Sequence, residues 1–206
     1  MKRIAYCVTR PFTHYALRYE IKFSSKKGQC RYVLFLLYSR AVKNQSETNE
    51  FSEEQRQIDE KWMRVALDLA RQAVAMGEVP VGAVAVKHGE IVGRGFNLKE
   101  DWQDPTAHAE MIALKETAVS VQNWRLLDVT LYCTLEPCPM CAGAMIQARL
   151  PRLVYGAKDT RFGAHGSIVN VIDAPGFNHQ ITVTSGVLQD EAIALLQQFF
   201  QQLRKK

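Results

Sequence analysis

The sequence predicts an α/β protein of three layers, an α/β/α sandwich with one mixed β-sheet. Three observations predict it. From about residue 52 onward, stretches of helical apolar spacing alternate with short strand-like runs. Their order reads α-β-β-α-β-α-β-(loop)-β-α, which supplies five strands and implies one sheet covered by helices on both faces. The chain has 206 residues, 47% of them hydrophobic and 23% charged. That suits one soluble domain with a real core and an appendage.

The elements follow in order. Residues 59–76 carry Trp62, Val65, Ala66, Leu69, Ala70 and Ala73 at helical spacing, and Gly77 is placed to end the helix. Residues 81–87 and 91–96 read as two strands around a His88-Gly89 turn. Residues 107–119 read as a helix with Pro105-Thr106 ahead of it. Residues 130–135 form a short strand, and Pro137 introduces a helix over 139–148. Residues 153–157 and 181–184 are the last two strands. An amphipathic helix over 191–203 closes the chain.

The net charge of +5 is unevenly placed. Residues 1–46 hold ten Lys/Arg and one acid, Glu20, a net of +9; residues 47–206 hold 16 bases and 20 acids, a net of −4. The basic balance belongs to the front segment, so an RNA-binding face in the rest must be a local patch. A polar stretch at 44–52 reads as a linker. Residues 1–46 are expected to be a basic extension, disordered or the product of a mis-assigned start. A basic RNA arm and a targeting peptide are the alternatives. The domain proper is residues 52–206. The five cysteines, Cys7, Cys30, Cys133, Cys138 and Cys141, make no disulfide framework. The longest apolar run, residues 32–38, is too short to span a membrane.

Two short strings carry chemistry: His108-Ala109-Glu110 and Pro137-Cys138-Pro139-Met140-Cys141. Each is weak alone. Each also opens a predicted helix, and together they supply one imidazole and two thiolates, a donor set that suits zinc. Three protein ligands, His108, Cys138 and Cys141, leave a fourth tetrahedral position for water, as in a catalytic rather than a structural site. Cys138 and Cys141, three residues apart on one helical turn, can face a single ion. Helix N-termini favour thiolate. Glu110 lies two residues past His108 and is the candidate proton shuttle. A redox Cys138–Cys141 pair, and a closed zinc site with Cys133 as fourth ligand, are the competing readings.

The spacing His-x-Glu … Pro-Cys-x-x-Cys resembles the general signature of the zinc nucleobase deaminases. The finer likeness is to the bacterial tRNA-specific adenosine deaminases. It runs through Glu78-Val79-Pro80-Val81-Gly82-Ala83, Asp104-Pro105-Thr106-Ala107-His108-Ala109-Glu110, Thr134-Leu135-Glu136-Pro137-Cys138-Pro139-Met140-Cys141-Ala142-Gly143-Ala144-Met145 and Gly156-Ala157-Lys158-Asp159. It extends to residues 162–167 and to the terminal Phe199-Phe200, and covers about residues 52–204.

The resemblance implies a cytidine-deaminase-like fold, one zinc ion per subunit, a homodimer and a cytoplasmic enzyme. It implies conversion of adenosine to inosine at the wobble position of a tRNA anticodon loop. It gives Asn97 and the Ala109 N–H to the flipped nucleoside, and sets Lys158 and Asp159 near the RNA path. Arg149, Arg152 and the terminal Arg204-Lys205-Lys206 are further candidates for RNA contact. Two rivals stand beside this reading: a deaminase of a free base or nucleoside, of cytosine or guanine type, and a zinc-structured RNA-binding module without catalysis.

Overall fold

The structure is a computed structural model that describes helical backbone from Val33 and complete residues from 52 to 205. The reading of residues 1–46 as an extension falls outside the residues described in full. The chain divides into two units, Met1–Gln45 and Ser46–Lys206.

The elements are α1 (Val33–Ala75), β1 (Gly82–Lys87), β2 (Glu90–Phe96), α2 (Lys99–Trp102), α3 (Ala109–Ser120), β3 (Val129–Leu135), α4 (Pro139–Gln147), β4 (Arg152–Ala157), β5 (Thr182–Ser185) and α5 (Gln189–Leu203). The five strands form one sheet in the order β2-β1-β3-β4-β5. β1 is antiparallel to both neighbours, whereas β3, β4 and β5 run parallel. Local sequence explains both halves. β1 and β2 are joined by His88-Gly89, each at positive φ (50° and 79°), the conformation a two-residue hairpin turn requires. β3 and β4 are joined through α4, and parallel neighbours need such a crossover.

Strand alternation sorts the core into two clusters. Ala83, Ala85, Leu131, Cys133, Leu153 and Tyr155 face α3 and α4. Val84, Val86, Tyr132 and Val154 face α1, together with Ala192 of α5. The three layers and the five-stranded mixed sheet are therefore those the sequence predicts. Two elements differ. α1 begins well upstream of residue 59, through the polar stretch at 44–52, which holds no Gly or Pro to break a helix. The four-residue α2 was not expected, because its N-terminus is satisfied by a distant side chain. The buried Glu78 carboxylate accepts the N–H groups of Glu100 at 2.6 Å and Asp101 at 2.9 Å.

Two features fix how the helices sit on the sheet. The first is backbone contact at glycine. A Cβ on Gly82 would lie 2.1 Å from the Ala66 carbonyl oxygen of α1. One on Gly95 would lie 2.1 Å from the Ala109 carbonyl oxygen and 2.8 Å from the Ala113 nitrogen of α3. The first turn of α3, which carries the His-x-Glu string, thus rests directly on β2. The second is a buried ion pair on the opposite face. Arg152 grips both oxygens of Asp59 at 2.8 and 2.6 Å, the Tyr132 hydroxyl donates to Asp59 at 3.1 Å, and Arg152 reaches the Thr184 hydroxyl at 3.1 Å. This network ties α1 to β3, β4 and β5.

Gly95→Ala is expected to destabilise the domain by about 3 kcal/mol, because the atoms met are backbone and cannot swing aside; thermal unfolding measures it. Asp59→Ala is expected to cost about 2–4 kcal/mol, somewhat below a fully buried pair because the Arg152 side chain keeps 22% exposure. Denaturant titration of that variant checks the figure.

Candidate metal centre and its cavity

The two chemical strings meet at the starts of two helices. His108 is the N-cap residue of α3 and Cys138 the N-cap residue of α4, both with extended backbone. Pro139 occupies the first helical position, where its missing N–H leaves no bond unmade. Cys141 sits on the first turn of α4, three residues beyond Cys138. Both helices begin near the carboxyl ends of β3 and β4, where open α/β sheets commonly place their sites.

The donor atoms form a near-equilateral triangle. The Cys138 sulfur lies 3.7 Å from His108 Nδ1, the Cys141 sulfur 3.6 Å from the same nitrogen, and the two sulfurs are 3.7 Å apart. A tetrahedral ion with bonds of about 2.3 Å to sulfur and about 2.0 Å to nitrogen would space them at about 3.8 Å and about 3.5 Å. The residues therefore fit one such metal ion. Among the described residues, His108, Cys138 and Cys141 are the group placed to hold one. Cys133 is not part of it. Its thiol points to the Val154 carbonyl at 3.9 Å, and burial pushes its pKa up.

The triangle shares its protons. The hydrogen bond with Cys141 lowers the Cys138 pKa to about 4, and the same bond, with burial, pushes Cys141 well above the ordinary thiol range. The bond with Cys138 raises the pKa of His108. A cation that enters must displace these protons, so binding tightens as pH rises.

Glu110 lies in the first turn of α3 and is 3% exposed. Burial pushes its pKa up to about 7. Its Oε2 is the one buried side-chain oxygen or nitrogen among the described residues without a hydrogen-bond partner. A buried acceptor left unmatched is costly unless something meets it there.

A cavity of about 640 Å³ opens over the triangle. His108, Glu110 and Cys138 lie at its floor with Asn97, and Val79, Leu135 and Leu196 give apolar walls. Asn97 Oδ1 accepts the Ala109 N–H at 3.0 Å, so the first N–H of α3 is already engaged by a side chain from outside the helix. Lys158 and Asp159 line the cavity. Arg149 does not. It stands at the far end of α4, roughly 15 Å along the helix, and binds Asn178. Arg152 is held by Asp59 at the opposite end of β4. Lys206 lies outside the described residues. Lys99 and Arg161, not singled out in the sequence, also line the cavity, as does Phe162 of the 162–167 motif. The signal that could have found the first two is position, in segments that follow strand ends.

Comparison with known proteins accords with this geometry. The model of the MafB19-like deaminase family matches residues 58–204. The chain is 52% identical over 151 residues to a tRNA-specific adenosine deaminase of Haemophilus influenzae, covering 73% of this chain and 87% of that one. It is 47% identical over 148 residues to the tRNA-specific adenosine deaminase of Bacillus subtilis, covering 72% and 92%. A solved structure from a study of A-to-I editing by tRNA:A34 deaminases at the wobble position superposes with a TM-score of 0.64 at 40% identity, over 66% of this chain and 99% of the other. With a donor triangle of this kind and matches of this extent, the chain belongs to the MafB19-like deaminase family and, within it, to the tRNA-specific adenosine deaminases.

Proposed function

We propose that the chain converts adenosine to inosine at the wobble position of a tRNA anticodon, with one zinc ion per subunit held by His108, Cys138 and Cys141. The observation that carries this is the unpartnered Glu110 oxygen beside a three-donor triangle. A structural metal site would close with a fourth protein ligand, and no other His, Cys, Asp or Glu among the described residues joins the group. Bound at such an open site, zinc lowers the pKa of water towards about 7 and so supplies a nucleophile at neutral pH.

The chain's own residues do the rest. The wobble base leaves its stack, at small cost in a single-stranded loop, and enters the cavity. Apolar walls from Val79 and Leu135 exclude water from its faces. The Asn97 amide NH₂ is the donor left to orient the nucleoside, because its oxygen already accepts the Ala109 N–H. Glu110 takes one proton from the attacking water and delivers it to N1 of adenine, then moves the second proton, from the oxygen newly added at C6, to the departing amine. Water adds at C6, the C6–N bond breaks, and the products are inosine and ammonia. Burial suits Glu110 to this work, since a carboxyl with a pKa near the working pH can both accept and release a proton.

Lys158 and Asp159 line the cavity, and on this reading they meet the RNA. Arg149, remote from the cavity, could touch RNA only as a surface charge. By the same family likeness the enzyme acts as a homodimer in the cytoplasm. No described helix is long and apolar enough to cross a membrane.

Glu110→Gln is expected to retain its metal and lower the rate of inosine formation by about 10²–10⁴-fold; sequencing of treated tRNA, with metal content measured alongside, checks it. Cys138→Ala is expected to lose both metal and activity, seen as a fall in bound metal per chain by elemental analysis. Incubation with tRNA, cytosine and guanine separates the substrate classes. Inosine in tRNA with no ammonia from the free bases is expected, and ammonia from a free base without inosine would overturn the reading.

A further inference from the structure

Glu136 is the residue between β3 and the Pro137-Cys138 turn, and it is only 1% exposed. Its carboxylate takes no part in the donor triangle. It accepts the N–H of Asp159 at 3.1 Å, the N–H of His165 at 2.8 Å, the N–H of Ser167 at 3.3 Å and the hydroxyl of Ser167. All of these donors come from the segment that follows β4. A further tie joins the same two parts, from the Ala164 N–H to the Pro137 carbonyl at 2.9 Å. Gly163 lies so close that a Cβ there would sit 2.5 Å from the Glu136 carboxyl carbon.

The segment held in this way walls one side of the cavity with Lys158, Arg161 and Phe162. Neither Lys158 nor Arg161 forms an ion pair among the described residues. Phe162 is 62% exposed. Two free cations beside an open aromatic face match what a single-stranded RNA presents, phosphates and unstacked bases. Residues 158–168 contribute no helix or strand, so fixing that backbone needs an anchor. A buried carboxylate receiving several N–H groups is such an anchor.

We infer that Glu136 is a positioning residue for the RNA. By holding the 158–167 loop against the turn that carries Cys138, it sets where Lys158, Arg161 and Phe162 meet the nucleotides flanking the reacting base. The inference rests on the tRNA reading above. The turn that serves the metal and the loop that serves the flanks meet at two adjacent residues, Glu136 and Pro137. A loop displaced by an ångström would weaken the flanking contacts and leave the donor triangle in place.

The test uses the full chain and a tRNA transcript that the unaltered enzyme converts. If the unaltered enzyme converts no tRNA, the substrate reading fails, and that failure is separate from this one. Glu136→Gln turns one acceptor oxygen into an NH₂ that opposes the N–H donors. It is expected to raise KM for tRNA about tenfold with a change in kcat of less than about threefold, and to keep its metal. Arg161→Ala alone is expected to raise KM about threefold, yet to add little in the Glu136→Gln background, because the two act through one loop. If Glu136→Gln does not fold, Ser167→Ala decides instead, since it removes a single donor and is expected to raise KM about twofold to threefold. KM equal to that of the unaltered enzyme in the variant that decides, or independent effects of Glu136→Gln and Arg161→Ala, would overturn the inference.

Discussion

The arrangement depends on two helices starting at one point. His108 and Cys138 are N-cap residues of different helices, far apart in sequence, and Cys141 is one turn into the second. Their donor atoms nonetheless lie within 3.7 Å of one another. The positive ends of both helices therefore point at the same small volume, which stabilises thiolate and any oxyanion formed there. The parallel β3-α4-β4 unit supplies one start. The glycine contact between β2 and α3 supplies the other, since Gly95 allows the first turn of α3 to rest on the strand backbone.

The buried acids divide the labour around that point. Asp59 is neutralised by Arg152 and Tyr132 and fastens α1 to the sheet. Glu78 caps α2 at the cavity rim. Glu136 holds the loop after β4. Each of these carboxylates is matched by donors, as burial requires. Glu110 breaks the pattern, with one oxygen unmatched and a pKa raised by burial. The matched acids build the frame. The unmatched one lines the cavity beside the donor triangle, where the proposed mechanism uses it.

Much of this was legible in the sequence. The strands announce themselves as short apolar runs, as in Leu131, Tyr132 and Cys133, whose side chains are buried on both faces of the sheet. The donor group was legible because its members are local strings at helix starts. What was not legible depends on distance in the chain. α2 rests on Glu78, some twenty residues earlier, and a four-residue helix has too little periodicity to be read. Glu136 showed only as part of a family motif, because its partners lie 23 to 31 residues onward. Arg152 looked like a surface charge until Asp59, 93 residues away in sequence, was seen to hold it. The engagement of the Ala109 N–H by Asn97 likewise belongs to tertiary contact rather than to either string.

An X-ray absorption spectrum at the zinc edge of purified, active protein tests the central claim most directly, because it counts the atoms bound to the metal. An open three-donor site predicts two sulfurs at about 2.3 Å and two lighter atoms at about 2.0 Å, one of them from solvent. A shell of three or four sulfurs, or active protein without zinc, would contradict it.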